Sequence, residues 1–197
     1  MKQITHAKNR RRWLSMSLAI IMLAGGGYTL ITAFSPFFRA QLIDPTRNET
    51  TQLLAATPET KITEDRLYIP KIDISVPYAT GGAETMERGA WWRRPENGNP
   101  VDGGNFVLSA HRFIMGLTPQ QTIQKSPFYN IDKLRIGDEI IIDYRGRRYT
   151  YVISRLFDVK PDAVHIENRT NKPQLTLYSC TLGGAADGRT VFVATPR

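Results

Sequence analysis

Three side chains far apart in the chain have the types that acyl transfer through a thiol requires. Cys180 is the single cysteine in 197 residues, and it closes the apolar run Leu175-Thr176-Leu177-Tyr178-Ser179-Cys180. A lone thiol forms no internal disulfide, and outside a cell it meets oxidants and thiol exchange, so nucleophilic chemistry is the leading reason to keep one there. The reactive form is the thiolate, and a free thiol titrates at about 8.5, so a neighbouring cation is expected. Histidine suits that place because it also protonates a leaving amine. His111 ends the run Asn105-Phe106-Val107-Leu108-Ser109-Ala110-His111. His165 lies between Val164 and Ile166 in a polar loop and reads as an ordinary surface or partly packed histidine. His6 precedes the apolar N-terminal stretch and falls on its other side. Arg189 opens a further apolar run. By itself such an arginine is usually solvated or paired with a carboxylate such as Asp187. If residues 175–180 and 189–195 are neighbouring antiparallel strands, however, Cys180 and Arg189 meet at one end. A guanidinium there can bind the oxygen of a tetrahedral intermediate as negative charge builds on it.

The elements that must position these groups read as short strands. Residues 67–78 alternate apolar and polar with period two, and Pro70 and Pro77 fit an edge or strand ends. A turn-rich stretch ends at Gly103-Gly104 before the strand that finishes at His111. Residues 114–131 form a long connection with a short helix. Residues 139–144 and 148–159 read as a hairpin turning at Arg145-Gly146-Arg147. A loop over residues 161–173 precedes the last two strands, 174–180 and 189–195. About seven strands with few helices predict a closed or nearly closed, antiparallel-rich β-barrel.

The N-terminus predicts a membrane anchor. Lys8, Arg10, Arg11 and Arg12 form a basic cluster, and residues 13–38 carry no Asp, Glu, Lys or Arg. About 20 apolar residues rising 1.5 Å each cross a hydrocarbon core, and the basic flank stays in the cytoplasm. The run is too long for a cleaved signal and lacks a clean Ala-X-Ala site. The expected organisation is a cytoplasmic flank at 1–13, a single-pass anchor at 14–38, an extracellular linker or lid at 39–65 and a catalytic barrel at 66–197. The formal net charge is +8; removing the five cations Lys2, Lys8, Arg10, Arg11 and Arg12 leaves +3, so the basic balance serves orientation rather than nucleic-acid binding. Trp91-Trp92 reads as core or rim packing ahead of a binding ledge. Scattered carboxylates such as Asp138, Glu139 and Asp162 define no calcium loop, and no metal-ligand spacing or phosphate-cradling glycine loop is present.

At these residues the chain resembles the sortases, membrane-anchored cysteine transpeptidases of bacterial surfaces. The resemblance runs through the anchor, Leu67-Tyr68-Ile69-Pro70-Lys71-Ile72, Gly104-Asn105-Phe106-Val107-Leu108-Ser109-Ala110-His111-Arg112, Gly137-Asp138, Tyr149-Thr150-Tyr151-Val152 and Thr176-Leu177-Tyr178-Ser179-Cys180, with Arg189 downstream. The family pattern before the nucleophile is Thr-Leu-X-Thr-Cys; here Ser179 replaces the second threonine and keeps a hydroxyl. The resemblance implies an eight-stranded sortase barrel, and the residues themselves give no expectation of a cofactor or a metal site. The resemblance also implies Cys180 attacking the Thr–Gly bond of a sorting signal similar to Leu-Pro-X-Thr-Gly, His111 as general acid then base, and Arg189 steadying the oxyanion or the peptide. Thr176 and Ser179 are expected to contact substrate. The implied partners are surface proteins bearing a sorting signal and an amine from a peptidoglycan precursor or a pilin. No second apolar span follows the barrel, unlike the usual pilus-assembling architecture, and a housekeeping-like or related single-anchor enzyme is the better match. Two alternatives stay open: a cell-wall L,D-transpeptidase, whose Ser-His-Gly-Cys motif the chain does not match, and an inactive tethered barrel that binds peptides.

Overall fold

The computed structural model describes residues 2–197, with side chains from Arg12 onward; His6 and the flank cations Lys8, Arg10 and Arg11 lie outside the described side chains. Helix α1 (Lys2–Gln41) is followed by α2 (Glu49–Ala56) and then by strands β1 (Arg66–Ile69), β2 (Ile74–Ala79), β3 (Ala90–Trp92), β4 (Gly98–Asn99) and β5 (Gly103–Ser109). Helix α3 (Pro119–Lys125) leads to β6 (Glu139–Tyr144), β7 (Arg147–Val159), β8 (Gln174–Thr181) and β9 (Gly184–Pro196). The strands join in the order β3-β2-β1-β6-β7-β9-β8-β5, and a β3–β5 pairing closes the ring. Eight strands thus form a closed barrel, and β4 is a short outrigger on β5. The barrel is mixed: β2–β3 and β5–β8 run parallel and the other pairs antiparallel. Long chain crossovers between these partners permit parallel pairing, which period-two patterning cannot reveal.

Alternation fills the interior. Leu67, Ile69, Phe106, Leu108, Ile140, Ile142, Leu175, Leu177, Phe192 and Ala194 point inward into one core. The opposite face of β5, β8 and β9 carries a second cluster, Val107, Tyr178, Val191 and Val193, packed under Phe157, Val159 and Ile166. Trp92 belongs to the inner set, edge-on to Phe106 and Tyr144 at centroid distances of 5.2 and 5.9 Å, an arrangement aromatic quadrupoles favour. The β6–β7 hairpin turns at Arg145 and Gly146, both with positive φ (49° and 79°), and pairs Tyr144 with Arg147; positive φ at both central residues is the type I′ geometry that matches strand twist.

The stretch read as one strand over residues 67–78 is two. Pro70 opens a 3-10 turn (Pro70–Ile72), and Asp73 follows in the left-handed region at φ 53°. Asp73 is then free to accept from both the amide and the hydroxyl of Thr50 and from Arg39 (2.9–3.0 Å). This carboxylate, the Asn48 cap of α2 and Arg148, which donates to the carbonyls of Leu54 and Thr57, fasten residues 39–65 to the barrel wall.

Helix α1 exposes Leu14, Ile20, Ile21, Leu23 and Ile31 along its length, and the stretch Arg12–Gln41 is long and apolar enough to cross a membrane. Its C-terminal end docks on the domain. Pro36 lacks the N–H that would bond Thr32, and the Ser35 hydroxyl donates to the Thr32 carbonyl instead (2.8 Å) while lying 3.1 Å from the Pro119 carbonyl. Tyr28 donates to the Leu117 carbonyl and Lys133 to that of Ala40 (both 2.9 Å).

Candidate active site

The site follows from strand register. β5 and β8 pair in parallel up to Ser109 opposite Tyr178; two residues further along each chain are His111 and Cys180. β8 and β9 pair antiparallel with Cys180 directly opposite Arg189. Side chains two apart share a face, so Val107, Ser109 and His111, then Thr176, Tyr178 and Cys180, then Val193, Val191 and Arg189 form three adjacent rows. Each row ends in one of the three chemically competent residues. The Ser179 hydroxyl, fully buried, donates to the Ala110 carbonyl at 3.0 Å, tying the residue before the cysteine to the residue before the histidine where ladder bonding has stopped.

His111, Cys180 and Arg189 line one cavity of about 510 Å³. Its walls include Met86, Trp91, Ile114, Val164, Ile166 and Leu182. A larger hollow of about 890 Å³ lies between α1, α2, β2 and α3, but it contains none of the three. Cys180 is a free thiol of intermediate exposure. The register slips just after it, where Thr181 pairs with Gly184 and residues 185–188 bulge out of β9; such irregularities re-aim side chains at functional edges. Asp187 accepts from the Thr181 hydroxyl, and Arg189 Nη1 donates to the carbonyls of Ala185 and Gly188 (2.8 and 2.9 Å). The bulge therefore fixes the guanidinium at the end of β9, where Arg189 stands opposite Cys180 in the ladder.

Several participants had no signal in the sequence. Glu87 Oε1 stands 3.5 Å from His111 Nε2, and its other oxygen accepts from Lys125 at 2.7 Å. The lysine bond, and secondarily His111, hold this carboxyl below its usual range. On the opposite wall Glu167, almost fully buried, accepts from Arg93 Nε (2.8 Å), Arg94 Nε (3.0 Å) and the Tyr178 hydroxyl (2.5 Å). Burial pushes its pKa up, but these donors together hold it below the usual carboxylate range. Burial, then the Glu167 contact, pushes the Tyr178 phenol upward, so it stays a neutral donor. Asn105 reaches the same loop from below, giving both amide hydrogens to the carbonyls of Ile166 and Asn168 (2.9 Å each). Arg93 also stacks over Trp91 at 4.1 Å, and Trp91 faces the cavity while Trp92 faces the core.

The expected substrate contacts at Thr176 and Ser179 do not match their positions. Each is 1% exposed and neither lines the cavity; Thr176 donates to Asn105 at 2.7 Å and Ser179 to Ala110, so both hold strands in place. His165 is exposed and stays outside the cavity. No residue of the 39–65 segment lines the cavity either.

A Sortase domain model matches residues 67–197. The chain belongs to the sortase family. It is 31% identical over 119 residues to Sortase A of Streptococcus agalactiae, covering 58% of this chain and 45% of that protein. It is 28% identical over 131 residues to Sortase SrtE1 of Streptomyces coelicolor, covering 58% and 35%. The matches thus span less than half of each of these relatives. The fold is similar to a Clostridium perfringens Sortase D5 transpeptidase (TM-score 0.57, 23% identity, 76% of this chain and 87% of that one) and to sortase C-1 of Actinomyces oris (0.57, 24%, 79% and 86%).

Proposed function

We propose that this sortase is a membrane-tethered cysteine transpeptidase whose reaction is carried by Cys180, His111 and Arg189. The observation that supports it most is the register: the three residues end adjacent rows on one sheet face and open into one cavity. In this reading the Cys180 thiolate attacks a peptide carbonyl, forming the S–C bond, and Arg189 stabilises the charge on the carbonyl oxygen. The C–N bond then breaks as His111 passes its proton to the departing amine. An incoming amine gives that proton back to His111 as it attacks the thioester, and the thiolate leaves.

A cavity of about 510 Å³ holds several extended residues, in the range usual for small ligands. Its aliphatic walls, Met86, Ile114, Val164 and Ile166, suit the leucine and proline of a Leu-Pro-X-Thr-Gly-like signal. Cleavage is assigned to the Thr–Gly bond, with a cell-wall precursor or pilin amine as acceptor and the catalytic domain on the outer face of the membrane. The test is to mix the full-length protein in detergent micelles with sorting peptides varied at the second position, with and without an amine, and to identify products by mass. A thioester on Cys180 and an amine-dependent product are expected, and both should vanish in Cys180→Ala. Unchanged turnover by Cys180→Ala refutes the nucleophile. A Cys180 that resists methanethiosulfonate in the folded protein points to a binding barrel instead.

A further inference from the structure

We infer that the loop after His111, residues 113–117, is seated in the lipid interface of the membrane that α1 spans. The inference rests on the reading of α1 as a retained anchor.

Three independent features of the loop converge on lipid as its partner. Its side chains are exposed and apolar: Phe113 and Met115 are about half-exposed, and Leu117 is 83% exposed. From Phe113 to Gln124 the chain carries no ionisable side chain, which is unusual for a stretch that ends in open water. The loop is also fixed to the spanning helix, because the Tyr28 hydroxyl donates to the Leu117 carbonyl. Tyr28 lies about 21 Å along the helix axis from Leu14, inside a hydrocarbon layer about 30 Å thick, and tyrosine is a residue of the membrane–water boundary.

Backbone satisfaction is the third feature. A loop entering lipid must bring its own hydrogen-bond partners, since the bilayer offers none. Ile114 N–H donates to the Ser126 hydroxyl, Gly116 N–H to the Thr122 hydroxyl and Leu117 N–H to the Gln121 side-chain oxygen, each at 3.0 Å. The Ile114 carbonyl accepts from Ser126. Polar side chains on and after α3 thus turn inward to serve the N–H groups of Ile114, Gly116 and Leu117, while Phe113, Met115 and Leu117 turn their side chains outward. Because Phe113 and Ile114 also line the catalytic cavity, one wall of the cavity would rest on the bilayer, and its mouth would open at the lipid surface.

The test uses full-length Cys180→Ala protein carrying one added cysteine at a time, Leu117→Cys, Met115→Cys, Leu23→Cys or Lys172→Cys. Each is labelled with a nitroxide, matched to its parent by circular dichroism and reconstituted in phosphatidylcholine–phosphatidylglycerol vesicles. Collisions with oxygen, which partitions into lipid, are compared with collisions with a nickel chelate, which stays in water. The expected result is a reversal: oxygen dominates at positions 117 and 115, as at 23 in the helix, and the chelate dominates at 172 on the β7–β8 loop. Chelate dominance at 117 and 115 with oxygen dominance at 23 overturns the inference and leaves the anchor intact. Chelate dominance at 23 refutes the anchor and the inference together.

Discussion

Glu167 is where stability and the site are most tightly joined, and Glu167→Gln separates charge from shape. The carboxylate sits nearly dry beneath the β7–β8 loop and takes donors from Arg93, Arg94 and Tyr178. Removing one partner of a fully buried ion pair costs about 3–5 kcal/mol. Arg94 is about half-exposed and Arg93 a quarter, so solvent recovers part of that. Glutamine keeps one acceptor oxygen but places an amide against the guanidinium groups, for an expected loss of about 2–3 kcal/mol. For a domain of this size that is roughly 4–12 °C in Tm. The pH dependence has a definite sign. Glu167 is held below the usual carboxylate range in the folded protein, so its stabilisation is present above the unfolded-state value near 4.3 and is lost as pH falls through the lower folded value. Thermal melts of full-length wild type and variant at neutral pH should differ by that amount, and the gap should shrink as the wild type is titrated below about pH 4. A gap below about 0.5 kcal/mol at neutral pH, or one that widens on acidification, refutes the ion-pair account.

Four further outcomes follow from the same geometry. Ser179→Ala should cost about 1–3 kcal/mol by leaving the Ala110 carbonyl buried and unpaired, and in peptide turnover it should lower kcat more than it raises KM, because it loosens the His111–Cys180 alignment. Asn105→Ala orphans two carbonyls of the β7–β8 loop, so limited proteolysis should cut within residues 160–173 well before the barrel unfolds. Asp73→Gly keeps the left-handed backbone but removes the acceptor for Thr50 and Arg39; protease sensitivity should rise between residues 42 and 62 while peptide cleavage is retained. His111→Ala and Arg189→Ala should each reduce turnover by at least about 100-fold, while methanethiosulfonate still labels Cys180.

Period-two patterning made most strands legible in the sequence, and with them a closed barrel, because alternation records which face is buried. Parallel pairing was not legible, since hydrophobic alternation is the same for either strand direction. The break at Pro70–Asp73 was hidden because Tyr68, Pro70, Ile72, Ile74, Val76 and Tyr78 keep one parity in the sequence, although the core-facing set shifts phase from Leu67 and Ile69 to Ile72 and Ile74. Cys180 and His111 stood out through rarity and strand-end position, and Arg189 only through the expected pairing of its strand with that of Cys180. Glu167 and Glu87 could not, because an isolated glutamate in a loop looks solvated until the fold brings Arg93, Tyr178 or His111 against it. Thr176 and Ser179 lie away from the cavity for a related reason: residues next to Cys180 along the chain alternate faces or lie deep beneath it, so adjacency in sequence is a poor guide to which side chains line a cavity.

The order of strands also dictates when the proposed site can first be complete. β8 and β9 are the last strands of the chain, yet they fill the gap between β7 and β5. Until those final segments emerge and insert, the barrel is an open trough, with the imidazole bordering an empty slot and no thiol yet delivered. On the proposed assignment, the thiol and the guanidinium reach the imidazole only as the cylinder seals.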